Sequence, residues 1–252
     1  MIGINIVYFY LNFSSNIIID RYAFNELFIN YQAGFIRRGL LGEIFWHTND
    51  FFLIEPRTFF SIFFFIIYLL QIFFLYFILK KYLSSKLITI LIIFSPALLL
   101  FHIYSPDLYF LKDSLVKLTI LIHAFIFHKF IIVEKNNAIY LKYLKFLILP
   151  ILFLTILTHE YQIFYLGIHF LISLSLIKDK KSFKKLVILY SPLLIPFFLV
   201  IIFLGDLMQF ENLSQILKKF NVDLNPYLGG GFFKYLGGFY KWHFYYFSYR
   251  DF

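Results

Sequence analysis

The 252-residue sequence contains no cysteine. That absence removes disulfide frameworks, zinc–thiolate sites and iron–sulfur clusters, and leaves the compartment open. Charge is scarce as well, at 15% of residues, where soluble domains carry about 25%. Together with 61% hydrophobic residues, this excludes an ordinary soluble globular domain. Disorder is excluded by 24% aromatic residues and a mean hydropathy of +0.79. No polar basic stretch is long enough to form a groove-binding face, so no nucleic-acid partner is expected. The formal charge of +9 is assigned instead to topology and to contact with anionic membrane lipid. What remains is an all-α, polytopic transmembrane helix bundle.

A spanning helix needs about 20 mainly apolar residues. The sequence predicts about seven, near 2–19, 58–79, 87–104, 114–133, 140–158, 161–177 and 186–205, forming a membrane module over 1–205. Residues 206–252 read as an interfacial or external tail rich in aromatics and glycine. The decisive stretch is 140–178. As one helix it would run roughly 58 Å, about twice the hydrocarbon thickness. The only ionised interruption in its middle is His159-Glu160, so it is split there into two crossings. Lysine placement supports the split. Lys80, Lys81 and Lys86, then Lys129, Lys135, Lys142 and Lys145, then Lys178, Lys180, Lys181, Lys184 and Lys185 all fall on one side only if the chain folds back. That side is expected to be the cytoplasm, with the amino terminus inside.

The opposite side then collects the polar residues with chemical potential. Arg37 and Arg38 lie among Gly34, Gly39 and Gly42. Guanidinium pairs suit diphosphate through parallel hydrogen bonds, and glycine permits close backbone approach; the plainer reading is a headgroup anchor. His159-Glu160 sits at a corner lacking the usual turn residues, and a partly buried acid–imidazole pair is suited to proton transfer. Its plainer reading is a solvated turn. Lys112 and Asp113 open the helix at 114, where an acid is an ordinary capping residue. Asp20 closes the first segment, against the helix dipole, which makes it the more suggestive carboxylate. His123 and His128 are expected to be core or inner-face residues, and no HExxH motif is present. No metal and no cofactor are expected.

Laid out in this way, "IIIDRYAF", "GFIRRGLLGE", "KD" and "HE" resemble the layout of GT-C membrane glycosyltransferases and of bacterial O-antigen or capsule polymerases. The first group shares seven membrane helices, an acid after the first helix and a long first external loop. By that resemblance Asp20 would be the catalytic base; Glu160 is the alternative acid read from the residues themselves, with His159 orienting the acid or binding sugar hydroxyls. Arg37, Arg38 and Lys112, with Asp113 beside them, would bind the substrate's diphosphate. The implied reaction is glycosyl transfer or polymerisation from a polyprenyl-linked saccharide at the outer face of the bacterial cytoplasmic (inner) membrane. Membrane lipid and polysaccharide-assembly proteins would be the partners. Two departures stand out. Both groups are usually longer, so the chain reads as a short member, a fragment or a degenerate copy, and no DxD-type acidic pair follows the first segment. The competing classes are a transporter or flippase for a lipid-linked or anionic substrate, and a non-catalytic assembly subunit.

Overall fold

The computed structural model describes residues 3, 6, 7, 10, 24, 26–82, 110–176, 179–203 and 207–220, and among them there is no strand. Most of 2–19, all of 87–104, Asp20 and the tail beyond 220 lie outside the described residues. The elements are α1 (Leu40–Phe52), α2 (Pro56–Tyr82), α3 (Asp113–Val133), α4 (Asn137–Thr158), α5 (Gln162–Ser173), α6 (Lys180–Ile202) and α7 (Leu207–Leu217). Four of these, α2, α3, α4 and α6, are long and apolar enough to cross a membrane.

The ends of these helices follow local chemistry. Pro56 occupies the first position of α2, where its missing N–H costs nothing. Asn136 caps α4 by accepting from the Ile139 N–H at 3.1 Å, and Asp179 caps α6 by accepting from Ser182 at 2.7 Å. That second cap corrects one sequence boundary. The helix expected from 186 starts at Lys180, so the lysines from Lys180 to Lys185 ride on a helix and not in a loop. Two π-wound segments, His128–Val133 and Leu144–Ile148, widen α3 and α4 locally; such bulges cluster at functional places in helices.

The greasy stretch from 140 onward does fold back. α4 ends at Thr158, His159 is extended with φ −155° and ψ 115°, and α5 begins at Gln162. Tyr140, near the start of α4, then lies with its hydroxyl 3.2 Å from the Ser173 hydroxyl at the end of α5. α3 runs alongside α5 in the same sense, since Thr119 meets Gln162 and His123 meets His169. The start of α3 and the 159–160 corner therefore share one end of the bundle. α5 is shorter than expected. Twelve residues cover only about 18 Å at the helical rise, short of the ~30 Å hydrocarbon core, and a 3-10 turn, Leu174–Leu176, extends it.

Two cores hold the chain together. Ile126 and Phe130 of α3, six residues of α4 including Leu144, Leu152 and Ile156, and Leu186, Leu193 and Val200 of α6 form one. The other is aromatic. Phe24, Phe28 and Phe45 pack on Phe60 and Phe64 of α2 and on Phe110, joined by Leu213 and Leu217 of α7. Several of its rings meet edge to face, with centroids 5.2 Å apart for Phe24–Phe110 and 5.4 Å for Phe28–Phe60, the arrangement favoured by ring quadrupoles. The segment 26–39 is thus a folded plug whose backbone is fixed, and it carries Arg37 and Arg38.

Candidate functional site

Glycine sets the path of that plug. A Cβ on Gly42 would lie 2.1 Å from the Ile29 carbonyl oxygen, so only glycine lets α1 press against the preceding loop. Gly34 at φ 108° and Arg38 at φ 66° turn the chain through the left-handed region. For arginine that conformation costs on the order of 1–3 kcal/mol and persists only where the surroundings over-determine it. At Arg38 they do.

The Arg38 guanidinium is buried, and it joins two carboxylates from distant parts of the chain. Its Nε donates to Glu160 Oε2 at 2.5 Å, its Nη2 donates to Glu160 Oε1, and its Nη1 donates to Glu26 Oε1. Glu160 is fully buried and Glu26 nearly so. Lys112, 1% exposed, donates from Nζ to the carbonyls of Glu26 and Arg38, each at 3.0 Å. The Arg37 N–H donates to the Phe203 carbonyl at 3.0 Å, which ties the plug to the end of α6. On the other side of Glu160, His159 Nε2 stands 3.1 Å from Asp113 Oδ1, and His159 Nδ1 accepts from the Tyr161 N–H at 3.3 Å. This pair of partners suits the neutral imidazole protonated at Nε2.

Electrostatics sharpen the roles. Burial alone would raise the Glu160 acid, but the hydrogen bonds and charge of Arg38, helped by His159 and Arg37, hold it down to about 2. Burial pulls the Lys112 ammonium down to about 7, with the Arg38 charge pushing the same way and Glu160 opposing. The His159 pKa is lowered by burial, against the raising influence of Asp113. In this arrangement Glu160 is a firm carboxylate and a weak base, while Lys112 is poised to exchange a proton at neutral pH.

No family model, curated protein or solved structure matches the chain. The site is therefore read from its geometry alone. Six of the residues singled out in the sequence, Arg37, Arg38, Lys112, Asp113, His159 and Glu160, come to one end of the bundle; Asp20 lies outside the described residues. Among the described residues, no three His, Asp or Glu side chains are arranged to hold a metal ion.

Two features escaped the sequence. Glu26, an acid between Phe24 and Phe28 in an aromatic run, is the second partner of Arg38, and its lone charge in a greasy segment was the available signal. The other is a polar chain inside the bundle. His123 and His169 face each other through their Nδ1 atoms at 2.9 Å, and His123 Nε2 meets the Tyr140 hydroxyl at 2.7 Å. His123 is thus a core residue as expected, but one with a polar partner at each ring nitrogen. Gln162, His169 and Ser173 recur at intervals of seven and four, one face of a helix.

Proposed function

We propose that the chain carries out glycosyl transfer from a polyprenyl-diphosphate-linked saccharide at the outer face of the cytoplasmic membrane, in the assembly of cell-surface polysaccharide. The observation that supports this reading is the junction of Arg38 with Glu160, with Lys112 and Arg37 beside it. A fork of donors in a water-poor site is what a departing diphosphate requires, because its developing charge is stabilised far better there than in water.

The junction also supplies an order of events. Arriving diphosphate competes with Glu160 for the Arg38 fork. Once Arg38 turns to the phosphate oxygens, Glu160 loses the charge that kept its acid at about 2, and burial then raises it toward the range of a working base. Glu160 takes the proton of an acceptor hydroxyl, the acceptor oxygen bonds to the anomeric carbon, and the carbon–oxygen bond to diphosphate breaks with its electron pair leaving on the diphosphate. Asp20 is the alternative base in the same reading. His159, neutral and tethered to Asp113, orients Glu160 or accepts sugar hydroxyls.

The test is complementation of a strain lacking the chain, with surface glycan and lipid-linked saccharide both measured. Arg38→Ala and Glu160→Gln, present at normal membrane levels, are expected to lower glycan more than tenfold while lipid-linked saccharide accumulates. Normal glycan in both variants would overturn the proposal.

A further inference from the structure

The helices that frame the bundle enclose a second set of polar groups, which starts two residues beyond Glu160 and runs away from the Arg38 junction, unused by the reaction above. It begins at Gln162, the first residue of α5, whose amide oxygen accepts from Thr119 at 3.2 Å and whose nitrogen lies 3.4 Å from His169 Nε2. It continues from His169 Nδ1 to His123 Nδ1 at 2.9 Å, from His123 Nε2 to the Tyr140 hydroxyl at 2.7 Å, and from Tyr140 to Ser173 at 3.2 Å. Ser173 meets the Tyr190 hydroxyl at 2.9 Å, and Tyr190 donates to the His169 carbonyl at 3.0 Å. Gln162, His169, His123, Tyr140 and Ser173 are all fully buried, whereas Tyr190 is only partly so. Tyr190 follows Lys185 by five residues, about 7.5 Å of helix.

Two things set this chain of groups apart from ordinary packing. Ionisable side chains inside a membrane bundle are costly and mark pathways for ions or protons. Here, in addition, each side-chain link from His169 to Tyr190 is reversible, while the His169 carbonyl, which accepts from Ser173 at 3.1 Å and from Tyr190 at 3.0 Å, is the fixed acceptor beside them. With protons pointing from His169 toward Tyr190, each donor has an acceptor: His169 Nδ1–H to His123, His123 Nε2–H to Tyr140, Tyr140 to Ser173, Ser173 to Tyr190, and Tyr190 to the His169 carbonyl. With protons pointing the other way the set is satisfied again, provided the Gln162 amide turns over so that its oxygen accepts from His169 Nε2. A network whose side-chain links can be completed in both polarities can pass a proton and be reset, which is the property a proton conductor needs.

We propose that His169, His123, Tyr140, Ser173 and Tyr190 form a proton relay through the apolar interior, with Gln162 as its gate. A proton binds His169 Nε2 when the Gln162 amide turns aside. His169 releases its Nδ1 proton to His123 Nδ1, and His123 releases its Nε2 proton to the Tyr140 oxygen. Tyr140 passes its own proton to Ser173, Ser173 passes its proton to Tyr190, and the Tyr190 proton leaves to water. One proton enters and one leaves. Every group ends neutral, and the network is left in its opposite polarity, from which ring and hydroxyl rotation restores the first. Imidazole serves this shuttling because its two nitrogens exchange roles at each passage. The relay stands on contacts that the glycosyl-transfer reading does not use, so either can fail without the other.

The experiment uses the purified full chain in vesicles of phosphatidylcholine and phosphatidylglycerol, with a pH-sensitive dye inside and a potassium–valinomycin potential to drive protons. Gln162→Ala, which removes the gate, is expected to conduct at least tenfold faster than protein-free vesicles. Adding Tyr140→Phe or His123→Gln to it should return the rate to that baseline; glutamine keeps hydrogen bonds at position 123 but cannot pass a proton on. Thermal unfolding of each variant identifies the folded ones, and Tyr140→Phe removes only one oxygen if His123→Gln does not fold. Baseline conduction by Gln162→Ala, or full conduction after Tyr140→Phe in a folded protein, would overturn the relay.

Discussion

Arg38 and Glu160, 122 positions apart in the chain, meet with the arginine Nε donating to the glutamate Oε2 at 2.5 Å. Glu160 is not tolerable alone at this depth, because an isolated buried charge is far more expensive than a paired one, and Arg38 ties it to Glu26 as well. The junction therefore acts as a clasp between the aromatic plug at 26–39 and the α4–α5 corner.

Opening the clasp from one side should show this. Arg38→Ala, which orphans both Glu26 and Glu160, is expected to destabilise the protein by about 3–5 kcal/mol, the usual cost of breaking a buried pair from one side. Glu160→Gln, which leaves Arg38 its Glu26 partner, should cost less, and Arg38→Met combined with Glu160→Met should lose less than the sum of the two single changes. Thermal unfolding in detergent measures all of them.

The clasp also carries a pH signature. Glu160 titrates at about 2 in the folded chain, below its ordinary value of 4.5, so the stability it brings is fully present above 4.5 and is lost as pH falls toward 2. The unfolding midpoint should decline through that window in the wild type. In Glu160→Gln this part of the decline should be missing.

Lys112 works at the other end of the scale. Its folded value of about 7 lies below the ordinary 10.5, so between these pH values the unfolded chain binds more protons than the folded one. Stability from this group therefore rises as pH climbs from 7 toward 10.5. Lys112→Met should flatten that rise, as read from unfolding midpoints at pH 7, 8 and 9.

Two glycines should respond in opposite senses to the same change. Gly42→Ala places a methyl 2.1 Å from the Ile29 carbonyl oxygen and should cost roughly 1–3 kcal/mol by overpacking. Gly167→Ala, inside α5 with open space around it, should gain about 0.5–1 kcal/mol from backbone entropy. Chemical denaturation of both separates the tight approach from an ordinary helix position.

Because the native chain has no cysteine, single thiols report sidedness without background. Tyr161→Cys, at a position 40% exposed beside the corner, should react with an impermeant maleimide added to intact cells. Glu134→Cys, exposed between α3 and α4, should react only after permeabilisation. The reverse pattern would place the Arg38 junction on the cytoplasmic side.

The fold-back at His159-Glu160 was legible because a greasy run too long for one crossing must turn where its only charges lie, and lysines on both flanks agree with it. The convergence of Arg37, Arg38, Lys112, Asp113, His159 and Glu160 followed from that turn. Their pairing did not. Charge positions along a sequence say which end of a bundle residues share, but which carboxylate an arginine clasps depends on how the plug packs, and that rests on ring contacts such as Phe24–Phe110. Arginines read as diphosphate ligands thus include one, Arg38, already engaged by Glu26 and Glu160. The start of α6 was missed because six lysine-rich residues look like a loop until Asp179 is recognised as a cap. The His123–His169 contact lay hidden because it joins two helices, although the Gln162, His169, Ser173 recurrence was visible on one of them.

The separation of Arg38 from Glu160 also matters while the protein is being made. At about 5–20 residues per second, the 122 positions between them take roughly 6–24 s to synthesise. For that interval Glu26 is the one of the two carboxylates already made, and Glu160 does not yet exist. The plug can pair Arg38 with Glu26 early, but its clasp to the α4–α5 corner must wait for residue 160, and a chain truncated before it should be a target for membrane proteases.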